Sequence, residues 1–311
     1  MAADEVEPSM ERFDRYMTRC LYGPGGFYAT TGTAGRRRGD FITSPEVGPL
    51  FGAVLAEAID GWWDEIGRPD PLPIYDVGCG PGTLLKSIAV ARPDRPWRYI
   101  GVDVVDAAGA SRRELPDDLS GAVVLANELL DNLPFRIVER GAEGLLEVFV
   151  DNGREVLRPS ALELELPIGA RAPMLEAADR WIRRTLAANP ARLCLFDYGA
   201  ATTAELARRG GWLRTYRNHR RGSDPFVDPG STDITTDVAW DQLPTPAEPL
   251  VHQAEFLRRW GIERLVDEGR RWWSEHAAAP DLAALRMRSR ISEAEALLDP
   301  SGLGGWWVAV W

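Results

Sequence analysis

Lysine is almost missing from this chain. Lysine and arginine together number 36, and Lys86 is the only lysine among them. Schiff-base chemistry would have to run through that one side chain, which nearly excludes the class. Cysteine is scarce as well. Cys20, Cys79 and Cys194 are too few and too scattered for a disulfide framework or a metal knuckle. Of the histidines, His252 and His276 form no ligand spacing with carboxylates, so no metal is expected. No apolar run approaches the roughly 20 residues needed to cross a bilayer. The opening MAADEVEPSM lacks the basic and apolar regions of a signal peptide, so a cytoplasmic location is expected. A surplus of positive charge is also lacking. The formal charge of −11 argues against nucleic acid and anionic membranes as partners. It suits a cationic substrate, and it equally serves solubility.

What is present is an ordinary globular composition, 45% apolar over 311 residues, enough for one large α/β domain with additions or for two domains. Residues 8–22 show helix-like spacing of Met10, Phe13, Met17 and Leu21. A glycine- and arginine-rich loop follows, with Arg36, Arg37 and Arg38 as its basic run, and residues 47–65 read as a second amphipathic helix. From there the pattern becomes βα alternation. PIYDVGCGPG, WRYIGVDV, GAVVLANEL and ARLCLFDYGA are strands, and TLLKSIAVA is a helix. Such alternation predicts a parallel sheet with crossover helices. Residues 201–250 read as an irregular inserted cap, 253–298 as helical, and GLGGWWVAVW as a turn feeding a last strand.

The turn in YDVGCGPGTLL places Gly78, Gly80 and Gly82 between a strand and a helix. Glycines let the backbone turn tightly and approach a ligand, and the helix start offers free N–H groups. A dinucleotide fingerprint wants its third glycine one residue later, where Thr83 stands, and a Walker A turn wants Gly-Lys before Ser or Thr. The remaining pattern, acidic-x-G-x-G-x-G, is that of class I S-adenosylmethionine (SAM) methyltransferases. Asp103 ends the next strand 21 residues after Gly82, a spacing that suits a carboxylate on both ribose hydroxyls. Asp76 would order the turn and meet the cationic amino-acid end of the ligand through water. The plain alternative is an unliganded turn and a solvated strand end.

The stretch VVLANELLDNLPF carries an apolar strand to its end and then sets Asn127, Glu128 and Asp131 in a row. In an open parallel sheet, ligands bind outside the carboxyl ends of the strands. Asn127 and Asp131 could equally cap the next helix and leave Glu128 solvated.

MTRCLYGPGGFY, GDFITSPEVGPLFG, DVGCGPGTLL, ANELLDNLPF, LFDYGA and DPGSTDITTDV occur here in one order. Together they resemble the MidA-type SAM-dependent methyltransferases, a family that includes a mitochondrial complex I assembly factor methylating a protein arginine. The resemblance covers the chain from about Tyr16 to the final strand. It implies a class I Rossmann-like α/β fold, with a mostly parallel seven-stranded sheet and helices on both faces. The expected blocks are an N-terminal lid over 1–70, a SAM-binding core over 71–200, an inserted cap with helices over 201–290 and a closing helix end and strand over 291–311. It also implies cofactor contacts from Asp76, Gly78, Gly80, Gly82, Thr83, Asp103 and Asn127. The turn Thr43, Ser44, Pro45 and Glu46, itself a good helix-start signal, would close over SAM.

Arginine methyltransferases use a pair of glutamates after the corresponding strand. Glu128 is the candidate for the first, with Asp131 and then Glu139 for the second. Asp197 and Tyr198 are candidate substrate contacts, and His219 is a candidate base or a solvated histidine. Two departures stand out. The glycine turn has GCGPG after Asp76, and only 19 residues separate Asp103 from Val123, which crowds out the usual third strand and its adenine-contacting acid. Asp117 and Asp118 are the weak replacements. The expected activity is SAM-dependent methylation of a protein side chain, arginine first. The alternatives are a SAM-binding assembly factor with little catalysis and a small-molecule methyltransferase.

Overall fold

A computed structural model of the chain describes residues 10–31, 43–104, 108–217 and 220–311. His219 and, within the expected lid, residues 1–9 and 32–42 lie outside the described residues. The described chain divides into two compact units, each built from separate stretches of sequence. Among the described residues no helix is long and apolar enough to cross a membrane.

The parallel-sheet unit takes in the described parts of 33–129, 184–198 and 246–311. Its strands are β1 (Leu72–Val77), β2 (Trp97–Val102), β3 (Val123–Asn127), β4 (Arg192–Asp197), β5 (Val251–His252) and β6 (Trp307–Val310), hydrogen-bonded in the order β5-β6-β4-β3-β1-β2. β1 runs parallel to β2 and β3, and β3 parallel to β4. β6 is antiparallel to both of its neighbours. The inner strands are continuous apolar runs because both of their faces are covered, and Val123, Val124 and Leu125 have almost no exposed surface. Helix Pro49–Glu65 lies against helix Thr83–Ala91 so closely that a Cβ on Gly52 would stand 2.4 Å from Ser87 Cβ. Phe51 and Phe256 meet Phe196 edge-on at 5.2 and 5.3 Å, joining the helices to the sheet.

The sheet therefore has six strands among the described residues, where seven were expected. Next to β2 the place of a further strand is taken by a single parallel bridge from Val102 to Arg112. The reason is length. Each parallel crossover needs a dozen or more residues, and the segment from Asp103 to Val123 would have to supply two.

The antiparallel unit takes in the described parts of 1–32, 130–183 and 199–245. Strand Leu145–Asp151 pairs with Met10–Arg12, Arg136–Arg140 and Arg154–Pro159, and Arg171–Met174 completes a five-stranded sheet. A second, three-stranded sheet joins Leu213–Arg217 to Arg220–Gly222 and Asp233–Thr236. The hairpin between Asp151 and Arg154 turns on Asn152 and Gly153, with φ of 48° and 71°. Both values are positive, as the tight turn matching strand twist requires.

This division differs from the expected blocks. Residues 130–183, placed in a continuous core, instead form hairpins with the N-terminal strand, because their period-2 pattern pairs antiparallel. The expected cap is also divided. Its part up to 245 joins the antiparallel unit, and the helices from Gln253 onward pack in the parallel-sheet unit.

Candidate cofactor and active site

The four parallel strands end along one edge of their sheet, and register fixes what stands there. Asp76 lies opposite Gly101 and Leu125, and Asn127 lies opposite Phe196. Gly78, Gly80 and Gly82 all have positive φ, at 74°, 49° and 74°, so the turn as built calls for glycine. Gly82 is the N-cap of helix Thr83–Ala91, and Thr83 is its first residue. The first N–H groups of that helix have no partner within it.

Asp103 is drawn into this turn. Its Oδ2 accepts from Gly80 N–H at 3.1 Å. The backbone of Gly109, which sequence reasoning missed, closes on the same turn by donating to Gly80 O at 2.9 Å. Its signal was the pairing of small residues: a Cβ on Gly109 would stand 2.3 Å from Gly82 N, and one on Gly101 would stand 2.0 Å from Gly109 O. Gly101→Ala should therefore lower stability by roughly 1–3 kcal/mol through overpacking. A thermal midpoint unchanged from wild type would contradict this packing.

Asp76 is buried and its carboxyl is strongly perturbed. Burial, and then the charge of Asp103, push its carboxyl up to about 7. Burial and the same two acids push the Cys79 thiol up to about 12, so it stays a thiol.

At the end of β3, Asn127 Nδ2 donates to Glu128 Oε1 at 3.1 Å. Asn127 Oδ1 is buried and has no hydrogen-bond partner among the described residues. A buried amide oxygen without a partner costs free energy unless a ligand or water supplies the donor. Glu128 has φ of 53°, a left-handed backbone that is uncommon outside glycine. Its N–H still bonds Phe196 O at 2.9 Å. The β3–β4 pairing thus runs one residue past the strand and holds the turn in place. Strain of this kind, about 1–3 kcal/mol, persists where surrounding structure over-determines it and clusters at functional sites.

Asp197, at the end of β4, is fully buried and accepts from Tyr198 N–H at 2.9 Å. The Tyr198 ring packs 5.4 Å from that of Trp306. Thr43 is the N-cap of a one-turn helix, Ser44–Val47, but makes no side-chain capping bond. Ser44 is fully buried, and its hydroxyl donates to Gln253 Oε1 at 2.9 Å. Pro45 and Glu46 complete that turn, and the long helix starts at Pro49, two residues later than its periodicity suggested.

Asp131 belongs to the antiparallel unit, where it is fully buried in the turn Leu130–Asn132. Glu139 is ion-paired there with Arg171 at 2.7 Å. Asp118 bonds its own turn at Ser120 N–H, and Asp117 is fully solvated beside Arg184. The residues that come together at one sheet edge are therefore Asp76, the three glycines, Asp103, Asn127, Glu128 and Asp197. A glycine cradle, a helix start, a ribose-spaced acid and an unsatisfied buried amide oxygen fit a nucleoside carrying a cationic amino-acid arm.

Comparison with known proteins identifies the family. The protein arginine methyltransferase NDUFAF7, mitochondrial, of Xenopus tropicalis is 37% identical over 314 residues, covering 80% of this chain and 71% of that one. The chain belongs to the MidA-type family of SAM-dependent methyltransferases. A family model described as an S-adenosyl-L-methionine-dependent methyltransferase matches residues 111–252 of this MidA-type chain. The Drosophila melanogaster NDUFAF7 homolog is 26% identical over 93% of this chain and 78% of its own length. A solved superfamily member from Burkholderia thailandensis bound to S-adenosyl-homocysteine shares the fold, with a TM-score of 0.81 and 25% identity. That match covers 97% of this chain and 87% of the other. This MidA-type protein is thus a SAM-dependent methyltransferase with a class I-like α/β fold, and SAM is its cofactor. The expected cytoplasmic location is corrected, because the relatives matched are named as mitochondrial proteins.

Proposed function

We propose that the methyl acceptor is a protein side chain, with the arginine guanidinium favoured, and that Glu128 is the catalytic carboxylate. The observation that carries this is the left-handed backbone of Glu128 at the end of β3. It fixes an acid in a strained conformation where an open parallel sheet binds its ligands. The names of the matched relatives as protein arginine methyltransferases support the choice of acceptor.

The bound cofactor supplies a methyl group on a sulfonium. The protein's own task is to place a nucleophile in line with it and to manage charge. The glycine turn and the start of helix Thr83–Ala91 would hold the cofactor's amino-acid arm, and Asp76 would offer its carboxylate to the ammonium. Asp103 would take the ribose hydroxyls. Asn127 offers its buried Oδ1 to the cofactor, while its Nδ2 holds one oxygen of Glu128. Glu128 would orient the guanidinium by charge-assisted hydrogen bonding and take the N–H proton as the N–C bond forms and the methyl–sulfur bond breaks, its electron pair leaving with S-adenosylhomocysteine. Asp197 and Tyr198 shape the neighbouring strand end.

The test is a set of arginine-containing peptides and their lysine-substituted counterparts, incubated with isotopically labelled SAM and read by mass spectrometry. Methylarginine in the first set alone is the expected result. Transfer to lysine peptides, or only to small amines, would overturn the arginine assignment.

A further inference from the structure

Helix Pro49–Glu65 begins at Gly48 with no side-chain cap from its own N-terminal turn. The cap comes from 243 residues away in sequence. Glu293, on helix Leu282–Leu298, accepts from Leu50 N–H through Oε2 at 2.8 Å and from Ser289 Oγ through Oε1 at 2.5 Å. Glu293 is only 5% exposed. A carboxylate has thus been taken into the interior against the positive end of a helix dipole, where it is stabilised. Gly48 makes the room for it, since a Cβ there would stand 2.2 Å from Glu293 Cδ.

A second tie lies five residues before the helix start. Gln253 receives the Ser44 hydroxyl at 2.9 Å and donates through Nε2 to Leu297 O at 3.3 Å. Both Ser44 and Gln253 are fully buried. The segment TSPEVGPL is therefore held at both ends by two side chains from the last quarter of the chain. That segment and its helix pack on helix Thr83–Ala91, with Gly52 against Ser87. Helix Thr83–Ala91 is the one whose first residues close the glycine turn.

We propose that Gln253 and Glu293 are positioning residues for cofactor binding. They latch the TSPEVGPL segment, and through it they set the helix that presents the glycine turn. Neither residue needs to touch the cofactor. The proposal rests on reading the glycine turn as the cofactor site, so its test carries a control for that reading.

Binding of S-adenosylhomocysteine is measured by calorimetry, and amide hydrogen exchange is followed in the same samples. Glu293→Ala should weaken binding about tenfold, the effect of losing one charge-assisted bond. It should also speed exchange within residues 44–52 and 83–86. Glu293→Gln keeps an oxygen for Leu50 N–H and should recover most of the affinity, a rescue that bulk destabilisation would not give. Gly48→Ala, whose methyl group displaces the carboxylate, should reproduce Glu293→Ala. If Glu293→Ala does not fold, Gly48→Ala and Gln253→Ala decide the matter on the same terms. Gly82→Val is the control. If it still binds the ligand, the reading of the turn is wrong. If it loses binding while the latch variants stay within twofold of wild type, the latch is wrong and the turn stands.

Discussion

Glutamine in place of Glu128 is expected to leave S-adenosylhomocysteine binding within about twofold and to slow methyl transfer by at least ~100-fold. The magnitude is the low end of what a positioned acid or base contributes. It should be read in single-turnover assays with labelled SAM. The substitution keeps the shape and the bond from Asn127 Nδ2, and removes only the charge that holds a cation and accepts its proton. Near-wild-type transfer in the glutamine variant would remove Glu128 from the chemistry. Glu128→Gly makes a companion prediction of opposite sign. The residue sits at φ 53°, where glycine is unstrained, so the variant should gain about 1 kcal/mol net of the added freedom of its unfolded chain. A rise of the thermal midpoint of roughly 2–4 °C would register it. Activity lost while stability is gained is the pattern expected where a site holds strain for function.

The second large effect concerns Asp76. In the free protein, burial and the neighbouring Asp103 raise its carboxyl from 3.8 to about 7. The folded chain therefore holds a proton that the unfolded chain has released between those values. The contribution to stability is present at low pH and is lost as pH rises through 7. A ligand bearing an ammonium beside this group favours the ionised form. Below pH 7, binding should release about one proton, and affinity should climb close to tenfold per pH unit before levelling above 7. Calorimetry at pH 6 in buffers of different ionisation enthalpy measures that proton directly. Asp76→Asn should abolish the release and weaken binding at pH 8 by roughly 100-fold, the loss of a charge-assisted contact. Binding by the wild type that is independent of pH between 5.5 and 8 would contradict the assignment.

The cofactor half of the fold was legible because its signals are local. The apolar strand, three glycines, a helix start and an acid at the next strand end fall within 72–103, and the structure assembles them as their order suggests. The hairpins of 136–159 were legible in principle, since Asn152-Gly153 between alternating residues is a tight-turn signal, but βα alternation on either side drew the reading toward a continuous core. Other features have no local sign. Thr43 and Ser44 have the composition of a helix cap, yet the Ser44 hydroxyl goes to Gln253 and the long helix is capped by Glu293. Each partner lies more than 200 residues away, beyond any periodicity or spacing argument. The left-handed turn at Glu128 is equally silent in sequence, because glutamate carries no preference for it. Only the surrounding pairing enforces it.

One consequence follows from the place of strand β6. Trp307–Val310 is hydrogen-bonded on both sides, between β5 and β4, yet it is drawn from the far end of the sequence. During vectorial synthesis β4 must wait for more than a hundred further residues to leave the ribosome before its outer edge is covered. Until then Leu193, Cys194, Leu195 and Phe196 present an unpaired apolar strand, the kind of edge that templates aggregation. Nascent chains of this protein should therefore depend on holding chaperones late in translation. Chains that terminate prematurely, even a few residues short of Trp307, should be cleared rather than accumulate as partly active enzyme.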